Sequence, residues 1–570
     1  MRIWIRKVMK VFALAVVIAG LSLASTTQAV SAAGIVVNST ADTTANDGVC
    51  TLREAIINAN VDARTWTDCA RGSGADTITF NSAIGDITLT GDLPQITDDL
   101  AINGLKGLVN NQTINGADRY RVFAVTAGTF SLRHVHVTHS ATTDSGSSLH
   151  IGGSSQATVS NSRFSYNNAG DDGGAIRNDG VLTVTNSTFI SNTATVGGAI
   201  ENNATLIVSG TSFISNTASA AGAIYSSGST ALHVTNSTFQ ENQATNSTSS
   251  GGAIMSSADT TTLDASTFTR NHSEGSGGAV SGEIAVTRSD FISNTADSSG
   301  GAIIGGGTFS NTTFTGNSAD NQGGAVYAYD VLTVANSGFI ANSASSGGAL
   351  FVSNITAAVT GSNLRNNTAS SGGAIGIRDA TVLTLTDSTL SGNSGDNGGA
   401  LSTASSGTGK SPQLTVSACT FTDNTASNQG GVIYHSSGMI TLAQSTFRHN
   451  HTTGGVGWGG AIASYASLSA TNCEFSQNSG GQMGGALYSS DLITVTATTF
   501  DDNQADFGGA LATDGDTTLV SGSTFMNSTA DYGGAIYHNT GVFTLTNSTL
   551  VSNSLSTHGS ALYSGGTMTV

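Results

Sequence analysis

Proline is nearly missing from this chain, two residues in 570, although glycine is abundant at 72. That combination excludes a collagen-like triple helix and a proline-rich linker. Charged side chains are scarce as well, at 10%, and the basic ones are scarcest. Four of the 19 basic residues (Arg2, Arg6, Lys7 and Lys10) precede position 34, leaving 15 against 37 acidic residues in the remainder. So acidic a chain repels nucleic acid and anionic lipid, and neither is expected as a partner. No nucleotide, haem or zinc motif stands out. Serine, threonine and asparagine fill the vacated positions, a composition that alone would suit a disordered chain. The regular recurrence of Val, Leu, Ile and Phe argues against disorder, because each segment has apolar groups to bury against the next.

What is present is a repeat. Residues 173–196 read GGAIRNDGVLTVTNSTFISNTATV, and GGAI from Gly197 begins the unit again. Sixteen such starts run from Gly173 to Gly559, spaced 23 to 32 residues apart. Each unit also carries an aromatic followed three residues later by Asn, as in Phe189/Asn192, Phe213/Asn216, Phe291/Asn294, Phe314/Asn317 and Phe500/Asn503. Leu replaces Phe at Leu364, Leu390 and Leu550, and Ser528 stands where one Asn should be. A fixed period of this size with no helical unit inside it indicates stacked strands. Within a unit LTVT alternates at period two, Ser187 and Phe189 share a face, and Ile176 opens a third short strand facing inward. Three strands and three turns in about 24 residues fit one rung of a right-handed parallel β-helix, since left-handed ones use a tighter hexapeptide. The chain is therefore expected to be all-β, a rod on the order of 80–100 Å with a Phe stack and an Asn ladder inside.

Four segments follow from this pattern. Residues 1–33 read as a secretory signal, with the four basic residues, an apolar run at Val11–Ala24 and small residues at Ser31, Ala32 and Ala33. Residues 34–105 form an N-terminal cap region with first strands. Thr51 and Glu54 have capping-box spacing, and Leu52, Ala55, Ile56 and Ala59 fall on one helical face, so a short helix should cover the open end of the stack. Arg53 and Glu54 are expected on its exposed, salt-bridged side. Cys50 and Cys69 bracket the helix and are read as a disulfide worth roughly 3 kcal/mol, two lone cysteines lacking the usual four-ligand metal set. Residues 106–172 read as irregular first rungs, where His134 and His136 should face outward beside Val135 and Val137, with His139 near, in a spacing that could hold a metal. Residues 173–570 are the regular repeats, ending mid-rung, where a cap, further chain or a partner is expected. Cys419 and Cys473 sit two rungs apart at an inward position, about 9–10 Å from each other, and should be free and buried.

The GGA-aliphatic and FxxN pair resembles the repeats of chlamydial polymorphic outer membrane proteins. Val49–Ile56 resembles the CSLREA(I) segment near the start of many bacterial secreted β-helix proteins, with Thr51 in place of Ser. The resemblances imply a surface or secreted passenger-type protein with an adhesive role, and an N-terminal cap without catalytic residues. Autotransporter-type members end in a membrane β-barrel, which this chain does not show.

Three functions compete. Outward positions made mostly of Ser, Thr, Asn and Gly suit a non-enzymatic extracellular or cell-surface rod for adhesion or display. Its partner would be a host or neighbouring-cell surface, through a glycan or protein ligand, with outer-membrane or envelope association. A polysaccharide lyase or hydrolase needs clustered acid and base groups on one face. The best cluster is Asp423, Arg448 and His449, with His435 and His451 near and insertions around Ser405–Pro412 and Gly454–Trp458. Calcium binding is the third: Glu274, Asp297, Asp320, Asp506 and Asp531 each stand three residues after a ladder Asn or its replacement, and like charges about 5 Å apart repel unless bridged. No other cofactor is expected.

Overall fold

The computed structural model describes residues 33–570 except 83, 105–110, 229–230, 406, 408–409, 516 and 559–560. The segment read as a secretory signal, but for Ala33, and the last repeat start at Gly559 therefore lie outside the described residues.

One rung explains the rest. In residues 173–196, Ile176–Asn178 and Val181–Thr185 lie in one sheet (A), Thr188–Ile190 in a second (B) and Thr193–Val196 in a third (C). The repeat pattern predicts three strands; the structure has four, because Thr193–Val196 pairs in parallel with Thr217–Ala220 of the next rung. Each strand meets its successor residue for residue: Ile176 opposite Ile200, Val184 opposite Val208, Phe189 opposite Phe213. The outcome is an all-β, right-handed parallel solenoid of about 19 turns with one short helix. At the spacing between hydrogen-bonded strands it is roughly 90 Å long.

Three corners of each rung take left-handed backbone, shown by Gly173 (φ 65), Asn186 (φ 47) and Ser191 (φ 52). Asn is among the few side chains that tolerate that region, which accounts for its frequency before each Ser-Thr-Phe. The second glycine of the pair is held by space instead. A Cβ on Gly324 would lie 2.1 Å from the Gly348 carbonyl oxygen and 2.4 Å from that of Ser343.

Three interior ladders run along the axis. Phe rings stack face to face from Phe164 to Phe339 at 4.7–4.9 Å. They resume from Phe421 to Phe525 at 4.6–5.0 Å after the two Leu rungs. Beside them each hydroxyl bonds inside its own turn and receives an amide N–H from the rung before, as Ser362 Oγ does from Ser337 N at 3.2 Å. The Asn ladder is the densest. Asn342 donates through Nδ2 to the Phe314 carbonyl and to Asn367 Oδ1, both 3.0 Å, while its own Oδ1 accepts from Asn317 N and Nδ2. Cys419 and Cys473 occupy the hydroxyl column, buried and free, with Ser445 between them. Burial pushes both thiols up.

At the N-terminal end, helix α1 (Leu52–Asn60) carries the expected capping box between Thr51 and Glu54. Leu52, Ala55, Ile56 and Ala59 are buried with the core, and Cys50 and Cys69 are joined. Of the exposed, salt-bridged face expected for Arg53 and Glu54, only the salt bridge of Arg53 forms, and that side chain is itself 18% exposed. Arg53 pairs with Asp42 at 2.8 Å, but Glu54 is fully buried, its carboxylate accepting from Thr51 N and Ala45 N. The first strand, Gly34–Val37, pairs with Asp76–Phe80, so the cap grows directly into sheet A. At the opposite end Thr567–Thr569 is exposed throughout.

Two substitutions test this scheme. Asn342→Ala leaves several buried backbone and amide groups without partners, and should cost about 3 kcal/mol or more in denaturant melts. A change under 1 kcal/mol would show that the ladder is not what holds adjacent rungs. Gly324→Ala should prevent soluble folding, whereas Gly338→Ala, whose Cβ meets a Thr313 methyl at 3.6 Å and an Ile340 methyl at 4.0 Å in ordinary contact, should melt close to wild type.

Candidate functional site: the strip flanking the paired glycines

The residues singled out in the sequence do not assemble into one centre. Asp423 and His449 do meet across adjacent rungs, Nδ1 to Oδ1 3.8 Å, both at left-handed corners and both largely exposed. Arg448 points outward from sheet B into a shallow depression of about 570 Å³ with Glu474, Gln477, Asp501 and Asp502. His451 sits in sheet C beside Thr425. His435 is not near them at all: it is a fully buried core residue of sheet A, Nδ1 2.8 Å from Ser464 Oγ. Its position in Ile433–His435 is the inward one, which the repeat register could have revealed.

The three early histidines also separate. His134 and His139 are left-handed corner residues (φ 54 and 49), so His134 is not on a strand facing outward. His136 does lie on Val135–Thr138, half-buried against Ser165 Oγ at 2.8 Å, and burial pulls its pKa down to about 4. Of the acidic residues, Asp297 approaches His272 at 3.9 Å. Asp506 and Asp531 lie on adjacent rungs with Gln504 around a recess of about 240 Å³. Burial and the Asp531 charge raise the Asp506 pKa. Among the described residues, no group of three or more His, Cys, Asp or Glu is placed to hold a metal ion.

A different feature concentrates the chemistry. The residue before each Gly-Gly and the residue after the following aliphatic both project at the corner between sheets C and A, one column on each side of the glycines. Between the two ends the column before the glycines is small or polar, while the column after the aliphatic carries Tyr225, Met255, Ile304, Tyr327 and Phe351 among small residues, with Tyr327 and Phe351 ring centroids 5.6 Å apart. At the N-terminal end the strip is charged: His150, Arg177 and Glu201 stand opposite one another on successive rungs. Arg177 reaches Asp179 at 2.9 Å and Glu201 at 3.3 Å, and His150 reaches Asp179 at 3.0 Å. Burial pushes the Glu201 carboxyl up, while for Asp179 the hydrogen bonds from Arg177, Asn203 and His150 outweigh burial and hold it down.

At the C-terminal end the same strip is aromatic. One column runs Gln429, Trp458, Met483, Phe507, Tyr532, and the other Tyr434, Ala463, Tyr488, Ala512, Tyr537, Tyr563. Trp458 packs on Tyr488 with ring centroids 4.9 Å apart, and Phe507 contacts both Tyr532 and Tyr537 at 5.1 Å. Ala463, Tyr488 and Ala512, with Trp458, Tyr465, Met483 and Tyr537 packed on them, form an apolar cluster separate from the main core. Six of the 11 tyrosines occupy the position after GGA-aliphatic, as in GALY ending at Tyr488. That bias is readable in the sequence, and attention to Phe and Asn passed over it.

Comparison with known proteins follows the same lines. The family model for the right-handed beta helix region matches residues 100–268 and 399–570. The chain belongs to that family. Within this β-helix protein the model of the Chlamydia polymorphic membrane protein repeat matches residues 311–329, a single rung. No curated protein matches. Among solved structures it is similar to the PL6 family alginate lyase AlyGC at 10% identity and TM-score 0.29, over 94% of this chain and 100% of that one. It is also similar to a mutant of that lyase at 10% identity and TM-score 0.26, over 87% and 97%. Likeness that distant says nothing of chemistry. No helix among the described residues is long and apolar enough to cross a membrane.

Buried His435 gives the β-helix a predictable acid response. Burial lowers its pKa from 6.5 to about 4, so the unfolded chain binds the proton more tightly. Its contribution is complete above about pH 6.5 and is lost as pH falls towards 4, by up to about 3 kcal/mol. Melting near neutrality and near pH 4.5 should show a larger acid-induced drop for wild type than for His435→Gln; equal drops would remove His435 from the account.

Proposed function

We propose that this is a non-enzymatic, extracellular or cell-surface β-helical rod that serves adhesion or surface display. The observation carrying that reading is a corner strip bearing aromatic and charged groups on an exterior made mostly of short polar side chains. A rigid stack spends its rungs on length and presents recognition groups along one edge. The polymorphic membrane protein repeat at 311–329, from a family of chlamydial surface proteins, supports the same reading.

A second reading, a carbohydrate-active enzyme, draws on the 3.8 Å approach of His449 to Asp423 beside the depression that Arg448 lines. The two separate experimentally. Residues 34–570 should bind intact cells saturably, and polysaccharides incubated with them should yield no new reducing ends or unsaturated products. Turnover abolished by Asp423→Ala or His449→Ala would replace the adhesin by the enzyme.

Calcium belongs to the proposal as a bridge between stacked carboxylates, foremost Asp506 and Asp531, where the charge of one already raises the pKa of the other. Millimolar calcium should then raise the melting temperature in wild type and not in Asp506→Asn. No shift in wild type would end the calcium reading.

A further inference from the structure

The aromatic end of the strip is more specific than a general sticky surface. Trp458 Nε1 donates to Gln482 Oε1 at 2.9 Å, and Tyr465 OH donates to Gln429 Oε1 at 2.7 Å. Each ring is thus fixed in orientation by an amide that keeps its NH₂ group for another partner. Tyr488 lies beneath Trp458 and Tyr465 as a floor, 3% exposed, its phenol pushed up to about 12 by burial and by Asp514. Tyr532 and Tyr563 remain 37% and 41% exposed. Rings held rigid in the free protein lose little freedom on binding.

From this geometry we infer that the strip spanning Tyr434 to Tyr563 is a binding platform for an extended neutral polysaccharide lying along the rod axis. The inference rests on the rod being a displayed binder and names the ligand class of that binder. Three observations choose it. Aromatic faces carry negative potential and attract the polarised C–H groups of a pyranose face. The amides of Gln429 and Gln482 beside the rings, each accepting through Oε1 and carrying an NH₂ donor, match hydroxyls in both hydrogen-bonding senses. Asp506 and Asp531 flank the column, and Asp514 raises both Tyr488 and Tyr537, so the platform repels uronates, sulfated sugars and acidic peptides.

Spacing supports a chain lying lengthwise. Trp458 and Phe507, both partly exposed, are separated by the Met483 rung, placing the two rings two rungs, about 10 Å, apart. That interval is close to the disaccharide repeat of an extended β-linked glycan. The platform is two residues wide, too narrow for the roughly 800 Å² each partner contributes to a stable protein interface. Pairing with a second copy would also bring the same aspartates face to face.

The test uses residues 34–570 and titrates hexamers of β-linked glucose, mannose and xylose, with oligogalacturonate hexamer as the anionic comparator, following tryptophan fluorescence and calorimetry. At least one neutral hexamer should bind saturably and more tightly than its trimer. Phe507→Ala and Tyr532→Ala should weaken it tenfold or more while circular dichroism and melting stay near wild type, and Arg177→Ala should leave it unchanged. Binding of oligogalacturonate alone, or of none of the hexamers, overturns the proposal. So does a concentration-dependent dimer that Phe507→Ala dissolves, which would assign the strip to a second copy. Cell binding that persists undiminished in Phe507→Ala and Tyr532→Ala removes the platform but leaves the adhesive rod standing. Hexamer binding by a protein that ignores cells keeps the platform and removes the adhesive role.

Discussion

The structure depends on a buried amide that satisfies itself only when an identical amide lies one rung away. Asn342 bonds to Asn317 before it and Asn367 after it, and all three are inaccessible to water. An unpaired amide at that depth would cost more than most single contacts in a protein are worth. Register therefore has no slack: a slip of one residue would strand every member of the column at once. The Phe stack and the hydroxyl column add packing and further satisfaction in the same register, and the left-handed corners return the chain to the start of each turn. Where Ser528 replaces Asn, its backbone N–H still finds Asn553 Oδ1 at 3.0 Å, so the rung order survives one substitution.

A solenoid built this way leaves its sequence little freedom inside and much outside. Inward positions are fixed by the need to match the rung above and below, and the second glycine of each pair is fixed by a carbonyl of the neighbouring rung. Outward positions face water and tolerate almost any short polar residue. Against that background, departures from Ser, Thr and Asn carry the functional signal. Many of them stand beside the paired glycines, charged near Arg177, aromatic at Tyr225, Tyr327 and Phe351, and densest in aromatics near Trp458. The chain's surplus of acid keeps such an edge-rich exterior soluble.

Cation contact and charge pairing are both local on this rod. Arg177 lies between the Asp179 and Glu201 carboxylates and offsets part of their charge in a half-buried place. Asp423 and His449 approach to 3.8 Å in the open, on the rungs that begin the aromatic end but at the corner after sheet B.

Repetition made the fold legible. Sixteen starts at a near-constant spacing, alternation in LTVT and the Phe and Asn columns determine a parallel β-helix, its interior ladders, its free buried cysteines and its capping helix, because each is a local or one-rung property. The fourth strand was hidden, since Thr193–Val196 has no hydrophobic alternation and exists only by pairing with its neighbours. The inward turn of His435, the burial of Glu54 and the separation of His134 from His136 depended on which way each corner bends the chain. Above all, the strip was decided by the tertiary structure. Trp458, Tyr488, Phe507 and Tyr532 lie scattered over 75 positions of sequence, and only the stacking of rungs, with the glycine turn aiming both columns outward, makes them one surface.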